Sequence, residues 1–232
     1  MNKELCAEML KKDRYSFEDL KQIVKLLRGE GGCPWDREQD HHSIRANLIE
    51  ETYEVVEAID NEDAVLLREE LGDLLFQILF HAELESEAGA FEIEDVVDEI
   101  TKKMITRHPH VFGDVSADTT AEVLKNWDAI KNEEKQRISL EDKLRSIPPM
   151  LPALMRAAKV VKKSKRNEEV SGEALLDELK GQVSSAPSAV DAAWIGQLLL
   201  NVAALCDKLQ IDGEQALQKA TDHLIDDVAG SC

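Results

Sequence analysis

The stretch "LREELGDLLFQILFHAELE", residues 67 to 85, constrains this chain more than any other. Leu71, Leu74, Leu75, Ile78, Leu79 and Ala82 recur at three- and four-residue spacing, and Phe76 and Phe80 carry the apolar surface almost all the way round. A helix of that kind is buried, so its neighbours must pack on it from several sides. Yet Glu70 and Asp73 stand one turn apart at its start, on one face, at the edge of that apolar surface.

The flanking segments supply helical neighbours. Ser16 and Asp19 form a capping box that opens a helix ending in a cation and glycines after Leu27. "SIRANLIEETYEVVEAIDNED" predicts a helix from Ile44 to Ile59 with Ile44, Leu48, Val55, Val56 and Ile59 inward. The central helix runs from Asp63 to Glu87 and stops at Gly89. A fourth, in "FEIEDVVDEITKKMITRHPHVF", must finish near Arg107, because Pro109 disfavours helical geometry at His108. Thr119 and Glu122 open a fifth. No long stretch alternates with period two, so the predicted class is all-α.

Pro148, Pro149 and Pro152 punctuate the chain next, predicting domains over 1–147 and 148–232. The second half carries helices in "LPALMRAAKVVKKSK" and "WIGQLLLNVAALCDKLQ" and holds a weak repeat of the first. "LGDLLFQILFHAEL" aligns without gaps on "IGQLLLNVAALCDK", which sets Gly196 on Gly72, Trp194 on Glu70 and Gln197 on Asp73. The apolar frame survives in the second half without the acids. The first-half carboxylates are therefore not there to make a helix.

They have partners nearby. The preceding helix carries Glu50, Glu51 and Glu54, and an antiparallel hairpin turning at Asp60 to Asp63 would set an ExxE step against an ExxD step. Four facing carboxylates cannot all stay ionised without a cation between them. Oxygen-only ligands suit Mg²⁺ or Mn²⁺. In a chain with 47 acidic residues, the same spacing also describes a solvated helix face.

Cations and rings recur at helical spacing as well. Lys103 and Arg107 lie four apart and can present two charges to one polyphosphate, although cations near a helix C-terminus also answer its dipole. Trp127 and Lys131 offer a ring and an ammonium one turn later, or a core tryptophan with a surface lysine. Trp35, in a loop bounded by glycines and proline, reads as a ligand contact or lid. Asp36 and Gln39 could read a base edge or cap the next helix. His108 and His110 lack metal-binding spacing and read as structural.

Against 47 acidic residues stand 28 Lys and Arg, a net charge of -19 that argues against nonspecific nucleic-acid binding and anionic membrane surfaces. A small phosphorylated ligand, held by local cations or metal, remains compatible. The four cysteines are scattered with no CxxC pair, no apolar run approaches transmembrane length, and the N-terminus is charged. A cytoplasmic protein is expected.

"GGCPWDREQ", "LIEETYEVVEAI", "LREELGDLLFQILFHA", "RHPHVFGD" and "VLKNWDAIKNEEK", in this order, resemble the MazG family of nucleoside triphosphate pyrophosphohydrolases over residues 17 to 137, and weakly beyond. The chain looks like the two-domain bacterial form, with tandem MazG-type units. The resemblance implies an all-α bundle, a homodimer with sites between helices of both chains, and Mg²⁺-dependent hydrolysis of (d)NTPs to monophosphate and pyrophosphate. It maps metal binding onto Glu51, Glu54, Glu70 and Asp73, with Glu50 also matching the pattern. The family's phosphate and base sites fall on Lys103, Arg107, Trp127 and Lys131. Charge then sets the chemistry: the cation neutralises both acids and triphosphate, Lys103 or Arg107 meets the departing pyrophosphate, and Glu50 is the spare carboxylate for the water's proton. Asn47 stands where family members often have an aromatic residue. The second half departs from the pattern: Trp194 and Gln197 replace the ExxD step, and acidic Asp226 and Asp227 stand where a basic residue is expected. It should be catalytically dead. Two other classes compete. A ferritin-like di-metal oxidase would need two ExxH steps, and the chain has only Glu38 to His41. A non-catalytic nucleotide-sensing or dimerisation module would keep the frame without the chemistry.

Overall fold

The computed structural model describes residues 3–134, 139–165 and 167–230. Among these there are helices, turns and loops and no strand, as the missing period-two pattern predicts. The chain divides into two units, Met1–Ser116 and Ala117–Cys232.

The first unit holds α1 (Lys3–Met9), α2 (Phe17–Arg28), α3 (Pro34–Glu38), α4 (Arg45–Asp60), α5 (Ala64–Ala88), α6 (Ile93–Arg107) and α7 (Pro109–Phe112). α5 is its axis: α4, α2 and α6 all pack on it. The core is Val24 from α2, Ile44 at the entry to α4, and Leu79 and Phe80 from α5, flanked by Leu20, Leu75, Phe76, Leu84 and Ile93. Local chemistry sets the ends. Ser16 accepts from the Asp19 backbone while Asp19 accepts from that of Ser16, and the Lys12 ammonium draws the Asp19 carboxyl down to about 2. Gly89 closes α5 in the left-handed region, at φ 72°. At Gly32 a Cβ would stand 2.3 Å from the Leu27 carbonyl oxygen, because the chain folds back over the end of α2.

That fold-back is fastened by Arg28. Its guanidinium donates to both Glu87 carboxylate oxygens at 2.8 Å and to the Asp36 and Gln39 carbonyls, with Phe80 beneath it 5.0 Å from the ring centre. The Arg28 side chain is only 6% exposed whereas Glu87 is 42% exposed, so substitution strands chiefly the Asp36 and Gln39 carbonyls. Arg28→Ala is expected to cost about 2 kcal/mol in chemical denaturation. A loss within error of zero would show that the loop is held by other contacts.

One expectation about the first unit fails. Val56 and Ile59, read as inward, are about half exposed, and so are Leu71 and Ile78 of the central helix. Val56 and Ile59 share a stripe of α4 with Ile49 and Tyr53, which are equally exposed. Periodicity marks this surface as apolar; α5 covers only the opposite side of α4.

The second unit holds α8 (Thr120–Glu134), α9 (Leu140–Arg145), α10 (Ala153–Ser164), α11 (Gly172–Ser184), α12 (Ala192–Leu209) and α13 (Gly213–Ala229). α10 packs on α9, α12 and α13, and α11 packs on α12. The boundary expected at 147/148 therefore falls inside this unit. Ile147 is buried and α9 rests on α10, so the prolines turn the chain between packed helices. α12 is, among the described helices, long and apolar enough to cross a membrane by length and composition alone; here it packs between α10 and α11.

Candidate active site

The site is built on the α4–α5 hairpin. Asn61, Glu62 and Asp63 join the two helices, with Glu62 in the left-handed region at φ 53°. Asp63 caps α5 by accepting from the Val65 and Leu66 amides. A connection this short makes the helices antiparallel neighbours, so acids two to three turns before it meet acids two to three turns after it.

Carboxylate oxygens of Glu51, Glu70 and Asp73 lie within 4.8 Å of one another, with Glu51 and Glu70 half-buried and Asp73 at the mouth. No lysine or arginine among the described residues forms an ion pair with them. Glu54, one turn on from Glu51 along α4, adds its charge beside this group. Burial pushes Glu51 above the usual carboxylate range, and the charges of Asp73, Glu54 and Glu70 push it further. Glu70 is raised by burial and then by Glu54 and Asp73. Glu50 is exposed and outside the group.

Three converging carboxylates, Glu51 and Glu70 with raised proton affinity, and no counter-cation have the donor chemistry of a hard divalent ion. The pH dependence has a definite sign. Groups with a raised folded-state pKa bind protons more readily in the folded chain, so this site's contribution to stability falls as pH rises through that raised value. A bound cation cancels that loss. Added Mg²⁺ should therefore raise Tm by several degrees at pH 7.5 and by much less near pH 5, read by thermal melts with and without the ion. Equal shifts at both pH values, or none, would contradict the cluster's role.

The other residues singled out in the sequence stand on several elements of the two units. Trp35 lies in the short helix α3 rather than an open loop, and is 57% exposed on a backbone fixed by Arg28. The carbonyl of Asp36 serves Arg28, and Gln39 turns its side chain onto the Trp35 carbonyl; neither caps α4. On α6, Lys103 is paired with Glu99 at 3.1 Å, and Arg107 is buried and already partnered. Trp127 and Lys131 belong to the second unit, where the ammonium sits 4.6 Å from the ring centre. His108 bonds the Met104 carbonyl and His110 has a buried unpartnered nitrogen.

A histidine pair was missed. His41, just before α4, meets His81 of α5 nitrogen to nitrogen at 2.8 Å, and its other nitrogen meets Glu85 at 2.8 Å. The visible signal was the step from His81 to Glu85, one turn apart on α5.

In the second unit, the position matching Asp73 belongs to a chain of amides. Gln197 donates to Asn201, which donates to Gln182 of α11. Neutral amides are paired with one another where the first unit gathers charge.

An acidic cluster seated between two antiparallel helices of an all-α unit defines a class: helical proteins with a converging carboxylate cluster. Residues 39–112 match the MazG nucleotide pyrophosphohydrolase domain. The nucleoside triphosphate pyrophosphohydrolase/pyrophosphatase MazG of Thermotoga maritima is 38% identical over 216 residues, covering 90% of this chain and 83% of that protein. This chain belongs to the MazG family. The nucleoside triphosphate pyrophosphohydrolase of Escherichia coli K12 is 47% identical over 148 residues, 63% of this chain and 56% of that one. YabN of Bacillus subtilis is 47% identical over 148 residues, which are 30% of its length.

Proposed function

We propose that the first unit hydrolyses nucleoside or deoxynucleoside triphosphates to the monophosphate and pyrophosphate, with Mg²⁺ or Mn²⁺ held by Glu51, Glu54, Glu70 and Asp73. The observation that carries this reading is the convergence of Glu51, Glu70 and Asp73 within 4.8 Å, without a protein cation, in a MazG-family unit. A cation bound there supplies charge neutralisation and polarises the phosphorus under attack.

The chain's own residues do the rest. Trp35 presents an exposed ring for the base. Lys103 exchanges Glu99 for the departing pyrophosphate, and Arg107 braces the same face. Glu50, the sequence neighbour of Glu51 but outside the cluster, accepts the water's proton. Trp127 and Lys131 form a ring-and-ammonium pair suited to a nucleotide. The uncovered apolar stripe of α4, with Leu71 and Ile78 of α5, supports a homodimer in which a second copy covers that surface. A cytoplasmic setting fits the free thiols of Cys6, Cys33 and Cys206. The alternative, a non-catalytic nucleotide-sensing or dimerisation module, is favoured for the second unit alone by its amide chain.

Pyrophosphate release from a mixture of NTPs and dNTPs, with Mg²⁺ and with chelator, tests the proposal. Release only with the ion supports it. Nucleotide binding without release at any ion concentration would transfer the first unit to the alternative.

A further inference from the structure

α5 carries a polar row at four-residue spacing: Asp73, Gln77, His81 and Glu85. Asp73 belongs to the carboxylate cluster, and His81 lies about 12 Å further along the axis, two turns on. There the row meets the segment between α3 and α4. His41 Nδ1 and His81 Nδ1 are 2.8 Å apart, and His41 Nε2 is 2.8 Å from Glu85 Oε1. The ring planes are parallel within 1° with centres 5.1 Å apart. With a nitrogen–nitrogen contact of 2.8 Å the rings meet through their edges, not their faces. His81 Nε2 is buried and has no partner.

These contacts fix the protons. The Glu85 carboxylate accepts, so His41 carries its hydrogen on Nε2 and leaves Nδ1 bare. His81 then donates from Nδ1, and its buried Nε2 is the bare nitrogen, the arrangement that leaves no N–H unpaired. A further proton on the pair cannot avoid His81 Nε2. The contact between the rings accommodates one hydrogen and His41 Nε2 holds another, so the third must go to the buried nitrogen. The nearest spare acceptor on the row, Gln77 Oε1, is itself buried without a partner and makes no bond to it. Burial and His41 both lower the pKa of His81.

The same segment is held at its other end by Arg28, through the Asp36 and Gln39 carbonyls. Trp35 lies at the start of this segment, just before the carbonyls that Arg28 holds; its ring is exposed, and its carbonyl accepts from the Gln39 side chain. We propose that His41 and His81 are positioning residues, a latch that fastens the segment between Trp35 and α4 onto α5 and releases when a further proton reaches the buried His81 Nε2. The charged groups around the latch are Glu85 on α5, Asp40 and His42 on the segment itself, and the Arg28–Glu87 pair between α2 and α5. Asp40 is committed to the His42 and Ser43 amides, so it does not replace Glu85 as the acceptor for His41.

The effect on substrate rests on the reading of Trp35 as a nucleotide contact, and the two ideas can be tested apart. In full-length Trp127→Phe/Trp194→Phe protein, Trp35 is the remaining tryptophan and reports the segment directly. Acrylamide quenching should rise as pH falls from 8 to 5.5, rise at every pH in His81→Leu, and stay low and flat in His81→Asn, whose amide keeps a donor near Nδ1 but does not titrate. Steady-state hydrolysis by otherwise wild-type protein should follow the same pattern. KM should increase roughly five- to tenfold in His81→Leu, the effect of one lost hydrogen bond, with kcat moving less. His81→Asn should restore KM and flatten its pH profile. Quenching that is unchanged in His81→Leu, or still pH-dependent in His81→Asn, overturns the latch. If quenching behaves as stated but Trp35→Ala leaves KM unchanged, the latch stands and the nucleotide contact falls.

Discussion

Asp73→Asn is expected to lose hydrolysis by well over about a hundredfold, beyond the 10–100-fold typical of outer-sphere partners of a metal site. The same change should make the ion-free protein more stable, not less. Asp73 is among the charges that raise Glu51 and Glu70, so removing it relieves repulsion that nothing in the described chain compensates. The two effects separate a binding defect from a folding defect. Melting without divalent ion should show Asp73→Asn at or above the wild-type Tm, and the Mg²⁺-dependent rise should vanish. Glu54→Gln should abolish turnover as well, since Glu54 flanks both raised carboxylates. Wild-type rates in either variant, with helicity confirmed by circular dichroism, would remove the cluster from catalysis.

The helices were legible because their signals are local. The capping boxes at Ser16 and Thr119, the stop at Gly89 and the break before Pro109 each act within a few residues, and each appears where the pattern puts it. The carboxylate site was legible for a related reason. A short hairpin connection fixes which turns of α4 and α5 face each other, so spacing alone brings Glu51 to Glu70 and Asp73. What was not legible is tertiary. His41 and His81 are 40 residues apart, and only the packed segment shows that they meet. Arg28 gathers carbonyls from one side and a carboxylate from another, a role no local pattern encodes. Helices as short as α3 and α7 span less than two turns and leave no period to read. The outward turn of Val56 and Ile59 is a different case: their pattern says buried, and burial by a second copy satisfies it as well as burial by α5.

Activity should survive loss of the second half. A fragment ending near Met150, an exposed position past α9, is expected to turn over NTPs at a rate comparable to the full chain, whereas residues 151–232 should release no pyrophosphate. The reasoning begins with the repeat, which sets Gln197 at the place of Asp73 and Trp194 at that of Glu70. An indole cannot bind Mg²⁺, and a neutral amide binds it far more weakly than a carboxylate. The structure adds that Gln197 is occupied: its amide group donates to Asn201, which donates to Gln182. That chain ties α12 to α11 without charge and has no need of an ion. Gln197→Ala in the full-length protein should accordingly leave kcat unchanged while lowering stability slightly, as loss of an exposed hydrogen bond does. The fragment loses α10, on which α9 rests, so its oligomeric state must be read by gel filtration alongside its rate. An inactive fragment that still dimerises, or an active 151–232, would place chemistry in the second half. An inactive monomer would instead assign that half to assembly, a structural role its retained apolar frame of Ile195, Leu198, Leu199 and Val202 is built to serve.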